Sequence, residues 1–145
     1  MAGTLVRPTV SEPLQTKLLM TTPDRLDQLF NLQDQLNRRI GIDASRMTAE
    51  ERQKWLLQYC RALNQEVAEL TDCVPWKWWA KYQTFDAQNT RVEIVDLLHF
   101  VISLAQVAGM SADDVFEVYT KKHRVNLNRQ ESGYHAKDES DNQHI

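Results

Sequence analysis

The chain has 145 residues, of which 42% are hydrophobic and 26% are charged, and its formal net charge is −3. This size and balance are typical of one globular domain, and the slightly acidic charge argues against nucleic acid as a partner. The longest apolar run, residues 94–107, is interrupted by Asp96 and His99 and is too short to span a bilayer, which argues against a membrane protein. The two cysteines lack metal-ligand spacing and no secretory pattern opens the chain, so we expect a cytoplasmic protein with free thiols.

Four helices and no sheet are predicted, because only four glycines and four prolines interrupt the chain and they fall between strongly periodic stretches. The expected fold is a compact all-α helical bundle of residues 22–134, with a flexible arm at residues 1–21 and a disordered tail at residues 135–145. A homodimer is expected to bury part of the apolar surface of the second and fourth helical segments.

The first helix is predicted to begin near Thr22 as N-cap, with Pro23 at the first helical position, and to end at Gly41. Two amide side chains, Gln33 and Asn37, lie four residues apart beside its apolar stripe. Amides can read the donor and acceptor pattern of a nucleobase edge, although surface polar residues show the same spacing.

The second helix is predicted to open with the capping box Thr48-x-x-Glu51 and to run towards Asp72. It carries Glu66 and Glu69, whose spacing of three places both carboxylates on one face, although such pairs are also common on solvated helix faces. The tryptophan-rich connection at residues 75–79 offers a stacking wall for a base, or simply aromatic side chains for the core.

The central helix, predicted from about Asn89 to Val107, is apolar on nearly every face, which places it at the centre of the bundle. Glu93 and Asp96 lie within this apolar run with the same spacing of three. Ionised carboxylates there must be neutralised, paired with a buried Lys or Arg, or bound to a cation. Four inward-pointing carboxylates would supply hard oxygen ligands, which suit Mg²⁺ or Mn²⁺. His99, one turn later, is interpreted as a metal ligand, a base-contacting residue or a core histidine.

The last helix is predicted to start at Ser111 and to end near Gly133. Its residues Lys122, Asn126 and Arg129 are spaced i, i+4, i+7 and can face one ligand. Lys and Arg are the donors that phosphate oxygens require, and Asn adds a neutral donor. An exposed basic helix end that is favoured by the helix dipole is the alternative.

Five motifs follow one another along these helices. They are Leu32-Gln33-Asp34-Gln35-Leu36-Asn37, Glu66-Val67-Ala68-Glu69-Leu70, Pro75-Trp76-Lys77-Trp78-Trp79, Val92-Glu93-Ile94-Val95-Asp96-Leu97-Leu98-His99-Phe100 and Tyr119-x-x-Lys122-x-x-x-Asn126-x-x-Arg129-Gln130-x-x-Gly133-Tyr134. Together they resemble the dimeric, all-α dUTPase family, which is grouped with the MazG-like nucleoside triphosphate pyrophosphohydrolases and with phage enzymes that hydrolyse dCTP and dUTP.

The resemblance implies an enzyme that uses Mg²⁺, or Mn²⁺, to hydrolyse dUTP to dUMP and pyrophosphate, with dUDP as a second substrate. A dCTP or broader deoxynucleoside triphosphate pyrophosphatase is the alternative within this class. A non-catalytic helical interaction module is the alternative from another class. The chain is compact and lacks the inserted helices of longer family members, which argues against a tight enclosure of uracil.

The resemblance also implies roles for individual residues. The residues that would bind metal are Glu66, Glu69, Glu93 and Asp96. The catalytic residues would be Glu66 and Glu69, with Glu66 helping to activate water. The phosphates would be bound by Lys122, Asn126, Arg129 and Tyr134, and the base by Gln33, Asn37, Trp79 and His99.

Overall fold

Four α-helices make up the computed structural model, which describes residues 24–131 and Gly133. They are α1 (Arg25–Arg39), α2 (Ala49–Asp72), α3 (Ala87–Val107) and α4 (Ala112–Glu131), with a short 3₁₀ turn at Ala44–Arg46 between α1 and α2. The described part of the chain contains no β-strand, so the predicted all-α fold is confirmed. None of the described helices combines the length and the apolar character that a single membrane span requires. The predicted arm (1–21) and tail (135–145) lie outside the described residues.

The N-terminus of α1 differs from its prediction. Asp24 is the N-cap, and its carboxylate accepts hydrogen bonds from the N–H groups of Leu26 and Asp27. The Asp27 carboxylate accepts a bond from the Asp24 N–H in return, so this acidic pair forms a complete capping box. Thr22 was therefore the wrong cap, and Thr22 and Pro23 lie outside the described residues.

The other helix boundaries follow local signals in the sequence. The predicted capping box of Thr48 and Glu51 opens α2. Ser111 and Asp114 form the same reciprocal pair before α4, with N–H to side-chain oxygen distances of 2.8 and 3.1 Å. After α1 the chain turns through Gly41 at a φ of 87°, a left-handed conformation that favours glycine.

Helices α2 and α3 form the main packed pair and run antiparallel. At one end of their seam, the Arg52 guanidinium donates to the carbonyl of Val107 at 2.7 Å and to that of Ala44 at 2.9 Å. At the other end, the Asn89 amide donates to Cys73 Sγ at 3.3 Å. Helix α1 packs on α3, and α4 bends by 104° from α3 to pack on α1. This arrangement places polar positions of α1, α2 and α3 along one seam.

Two small apolar clusters hold the helices together. One is centred on Phe30 and Ile102, and the other on Ile42, Tyr59 and Val107. Helix α3 is buried on one side only, which differs from the expected central helix surrounded on every face. Its exposed apolar residues are Val92, Ile94, Val95, Leu98 and Val101. A single copy of the described chain has too few helices to cover this second side of α3.

Candidate active site

Three of the four predicted acidic ligands meet where α2 packs against α3. One carboxylate oxygen from each of Glu66, Glu69 and Glu93 lies within 4.8 Å of the other two. The spacing of three brings Glu66 and Glu69 to one face of α2, and α3 presents Glu93 from the opposite side of the seam. Carboxylates this close repel one another unless a proton or a cation lies among them.

Glu93 is the most buried member of this carboxylate cluster, with only 5% of its surface exposed. Its Oε1 accepts a hydrogen bond from the Asn89 amide at 2.9 Å, one helical turn earlier. Its Oε2 is buried and has no hydrogen-bond partner among the described residues. A buried carboxylate oxygen without a donor is costly, and a hard divalent cation such as Mg²⁺ supplies the missing partner. The residues of the cluster therefore fit the predicted metal.

The environment of Glu66 favours the protonated form of its carboxyl group. Burial raises its pKa, and the negative charges of Glu69, Asp96 and Glu93 raise it further. A hydrogen bond that protonated Glu66 can donate to Glu93 adds to this rise. Asp96, half-buried one turn after Glu93 on α3, is therefore within electrostatic reach of the cluster. All four predicted carboxylates thus lie in one neighbourhood.

Three of the four predicted base-binding residues are also brought together, on α1 and α3. Gln33 and Asn37 are each only 5% exposed, and the Gln33 amide donates to Asn37 Oδ1 at 3.1 Å. Gln33 Oε1 lies 2.6 Å from Nδ1 of His99. Two more residues of the seam join them, since Asn37 Oδ1 accepts from the Tyr59 hydroxyl and Asn37 Nδ2 donates to Ser103 Oγ, both at 3.2 Å. The two amides are therefore not surface polar residues. Each already makes hydrogen bonds within a buried polar network.

The fourth predicted base-binding residue, Trp79, lies apart from this network, in a group of three tryptophans. Its ring packs edge-to-face on Trp76 and Trp78, with centroid distances of 5.9 and 5.3 Å. It is 59% exposed, in the connection between α2 and α3. A hydrogen bond of 2.9 Å from the Asp86 N–H to the Cys73 carbonyl closes this connection beside the carboxylate cluster.

The predicted phosphate-binding residues lie on α4. Asn126 and Arg129 line a cavity of about 470 Å³, and Lys122 is half-buried one turn before Asn126. The fourth predicted residue of this set, Tyr134, lies outside the described residues.

Several residues of these networks were not predicted. Asn89 holds Glu93, while Tyr59, Ser103 and Gln106 hold Asn37. A local signal existed for Asn89, which precedes Glu93 by four residues on one helix face. The other three become recognisable only when α1, α2 and α3 are packed together.

A comparison with protein families identifies the chain. A dUTPase family model matches residues 25–107 and 101–134, which includes both acidic pairs and the basic stretch of α4. The chain belongs to the all-α dUTPase family. This dUTPase family member is also similar to the dCTP pyrophosphatase of Enterobacteria phage T4, with 33% identity over 72 residues. That match covers 41% of this chain and 42% of the phage protein. No solved structure matches this chain.

The matching family model describes dUTPases, which are nucleotide pyrophosphohydrolases. Enzymes of this family are typically metal-dependent, which agrees with the carboxylate cluster between α2 and α3.

Proposed function

We propose that the protein hydrolyses dUTP to dUMP and pyrophosphate in a reaction that requires Mg²⁺, with dUDP as a second substrate. The observation that carries this proposal is the buried Glu93 Oε2, which lies beside Glu66 and Glu69 and finds no hydrogen-bond partner within the part of the chain that the structure describes. A purely structural carboxylate would be expected to find a donor for this oxygen.

The four carboxylates divide the chemistry of hydrolysis. Glu66, Glu69, Glu93 and Asp96 would hold Mg²⁺, or Mn²⁺, which when bound neutralises the polyphosphate and lowers the pKa of a coordinated water. Glu66 orients the attacking water and accepts its proton, a role that its raised pKa favours, with Glu69 beside it. The water oxygen forms a bond to the α-phosphorus, the bond to the bridging oxygen breaks, and pyrophosphate leaves. No covalent intermediate with the protein is needed.

We propose a placement of base and phosphates that the geometry of α3 supports. His99 lies six residues after Glu93, which corresponds to about 9 Å along the helix axis. That length suits a deoxynucleotide whose base lies near Gln33 and His99 and whose α-phosphate lies at the carboxylates. Trp79 would cover the base. Lys122, Asn126, Arg129 and Tyr134 would bind the outer phosphates through charge-assisted and neutral hydrogen bonds.

A second candidate substrate is dCTP, or a broader set of deoxynucleoside triphosphates. The similarity to the phage dCTP pyrophosphatase favours this alternative. The amide groups of Gln33 and Asn37 do not decide between uracil and cytosine by themselves, because an amide can donate or accept.

A homodimer is part of the proposal. Apolar residues of α2 and α4 are exposed as expected, but the denser apolar face belongs to α1 and α3, where Leu29, Leu32, Val95 and Leu98 are all at least 40% exposed. They line a small cavity of about 80 Å³ next to Gln33. Burial of such a face against a second copy would remove a large apolar surface from water.

The test is a panel of nucleotides with the purified protein. Release of pyrophosphate from dUTP, dCTP and dTTP, and of phosphate from dUDP, is measured with Mg²⁺ and with EDTA. Metal-dependent release with the highest kcat/KM for dUTP supports the proposal, and preference for dCTP selects the alternative substrate. No release from any nucleotide would favour a non-catalytic interaction module.

Two variants, one at the carboxylates and one at the base, sharpen the panel. Asp96→Asn keeps the size of the side chain but removes a charge and a ligand oxygen, so turnover should collapse while the circular dichroism spectrum is unchanged. Gln33→Ala should change the ratio of kcat/KM between dUTP and dCTP, because loss of this amide alters the hydrogen bonding that the site offers to the base. Near-normal turnover in the first variant would remove Asp96 from the metal site, and an unchanged ratio in the second would show that the base is read elsewhere.

A further inference from the structure

We propose that Gln106 and Asn37 are positioning residues that set the direction of a buried hydrogen-bond chain, and that this chain holds neutral His99 in the tautomer with its proton on Nδ1. The chain runs from the backbone of α1 through Gln106, Asn37 and Gln33 to His99. Each link is fixed by the one before it, starting from groups whose donor or acceptor character is invariant.

The first fixed group is the carbonyl of Phe30, which can only accept. Gln106 Nε2 donates to it at 2.8 Å, so Oε1 of the same amide must be the atom that faces Asn37. Asn37 Nδ2 donates to this oxygen at 3.2 Å. A backbone group of α1 therefore determines which end of the Asn37 amide points towards α3.

A second fixed group gives Asn37 the same direction. The Ser103 hydroxyl donates to the carbonyl of His99 at 2.9 Å, which leaves Ser103 Oγ to accept from Asn37 Nδ2 at 3.2 Å. Both protons of the Asn37 amide are then used. Its oxygen is used as well, because it accepts from Gln33 Nε2 at 3.1 Å and from the Tyr59 hydroxyl at 3.2 Å. A fully occupied amide in a buried site cannot rotate without breaking several bonds.

The direction passes from Asn37 to His99 through one more amide. Since Gln33 Nε2 donates to Asn37, the other end of the Gln33 amide, Oε1, faces His99 Nδ1 at 2.6 Å. An oxygen that only accepts requires Nδ1 to carry a proton. The neutral His99 ring is therefore left with Nε2 as an acceptor.

The consequence for the nucleotide rests on the proposed function. There, exposed His99 meets the substrate as a hydrogen-bond acceptor, so it selects a donor group such as a ring N–H, an exocyclic amine or a sugar hydroxyl. Gln33 and Asn37 would then act on the base through His99 and through the shape of the site, because Asn37 has no vacant donor or acceptor.

The tautomer is measured on the nucleotide-free protein, so the result does not depend on whether the protein hydrolyses dUTP. The four histidines are labelled with ¹⁵N, and the His99 signals are assigned by their loss in His99→Gln. With the ring neutral, the expected spectrum shows a protonated Nδ1 and an unprotonated Nε2. A His99 ring protonated on Nε2 in the wild-type protein would overturn the proposal.

Two variants test whether the tautomer of His99 depends on the direction of the hydrogen bonds or only on intact packing around them. Asn37→Ala opens a polar space that water can enter, and water both donates and accepts, so the direction is lost and His99 should shift towards a mixture of tautomers. Tyr59→Phe removes one bond from the same buried network but leaves Gln106 and Ser103 to orient Asn37, so the tautomer should be unchanged. A wild-type tautomer in Asn37→Ala, or an equal shift in Tyr59→Phe, would refute the relay.

Loss of a buried polar group can also unfold a protein, so folding is checked by circular dichroism. If Asn37→Ala does not fold, Gln33→Met provides the second measurement, because it removes the acceptor of His99 Nδ1 while Asn37 keeps its bonds to Tyr59, Ser103 and Gln106. An unchanged tautomer in Gln33→Met would overturn the assignment.

Discussion

Replacing Glu93 by Gln should change stability in opposite directions with and without Mg²⁺. Two unit charges 4.8 Å apart, the outer limit of the carboxylate cluster, repel by about 3.5 kcal/mol at an effective dielectric constant of ~20 and by about 0.9 kcal/mol in water. Glu66 is half-buried and Glu69 is exposed, so the effective value lies between these limits. Without metal, Glu93→Gln should therefore raise the free energy of unfolding by about 1–3 kcal/mol.

In Mg²⁺, by contrast, Glu93→Gln should be less stable than the wild-type protein. A cation that binds only the folded state adds about 4.1 kcal/mol when its concentration is 1,000 times its Kd, which is more than the repulsion that the variant relieves. The wild-type protein should gain this increment. Glu93→Gln has lost the buried oxygen Oε2, for which residues 24–131 offer no hydrogen-bond partner, and should gain far less. Because Glu93→Gln binds Mg²⁺ less tightly, its catalytic turnover should fall as well.

The measurement is urea unfolding followed by circular dichroism, in EDTA and in Mg²⁺. The matched control is Glu50→Gln, which removes an exposed carboxylate from the first turn of α2. That change should cost about 0.3–1 kcal/mol through the helix dipole and should be independent of Mg²⁺. If Glu93→Gln were no more stable than wild type in EDTA, and gained as much from Mg²⁺, mutual repulsion and metal binding at this cluster would both be ruled out.

Three further predictions follow from other parts of the site. Asn89→Leu removes the donor that orients Glu93, so Mg²⁺ affinity should fall by about 10–100-fold in a Mg²⁺ titration of stability, and an unchanged affinity would contradict this role. Because the pKa of Glu66 is raised in the folded protein, the folded state holds the proton more tightly, and stability in EDTA should decrease as pH rises above the ordinary glutamate range. Saturating Mg²⁺ should abolish that decrease, which urea unfolding across pH would show. Lys122→Ala and Arg129→Ala should lower kcat/KM for dUTP, dCTP and dTTP by similar factors, since every nucleotide shares the polyphosphate; a change in the ratios would contradict phosphate binding.

The helices and the acidic pairs were predictable because their signals are local. A capping box lies within four residues, and two carboxylates spaced by three share a face whatever the rest of the chain does. The prediction of Thr22 as the cap of α1 relied on the proline that follows it. The actual cap, Asp24, has an acidic partner three residues later, Asp27, which completes a capping box.

The polar network could not be predicted from the same kind of signal. Tyr59, Ser103 and Gln106 come from two helices, and their bonds to Asn37 depend on the register in which α1, α2 and α3 pack. The exposed side of α3 has a different cause. An apolar pattern shows that a face avoids water, but it does not show whether the covering surface belongs to the same chain.

The antiparallel pair of α2 and α3 has a consequence for how this protein can change in length. Glu93 and His99 are on one uninterrupted helix, where an inserted residue would turn everything after it by about 100° and move it by about 1.5 Å. His99 would then leave Gln33, and Val107 would leave Arg52. Insertions and deletions should therefore be tolerated best in the largely exposed connection at residues 74–85, and hardly at all between Glu93 and Val107. A library of single-residue insertions should show this pattern as one tolerant window between the two long intolerant stretches of α2 and α3.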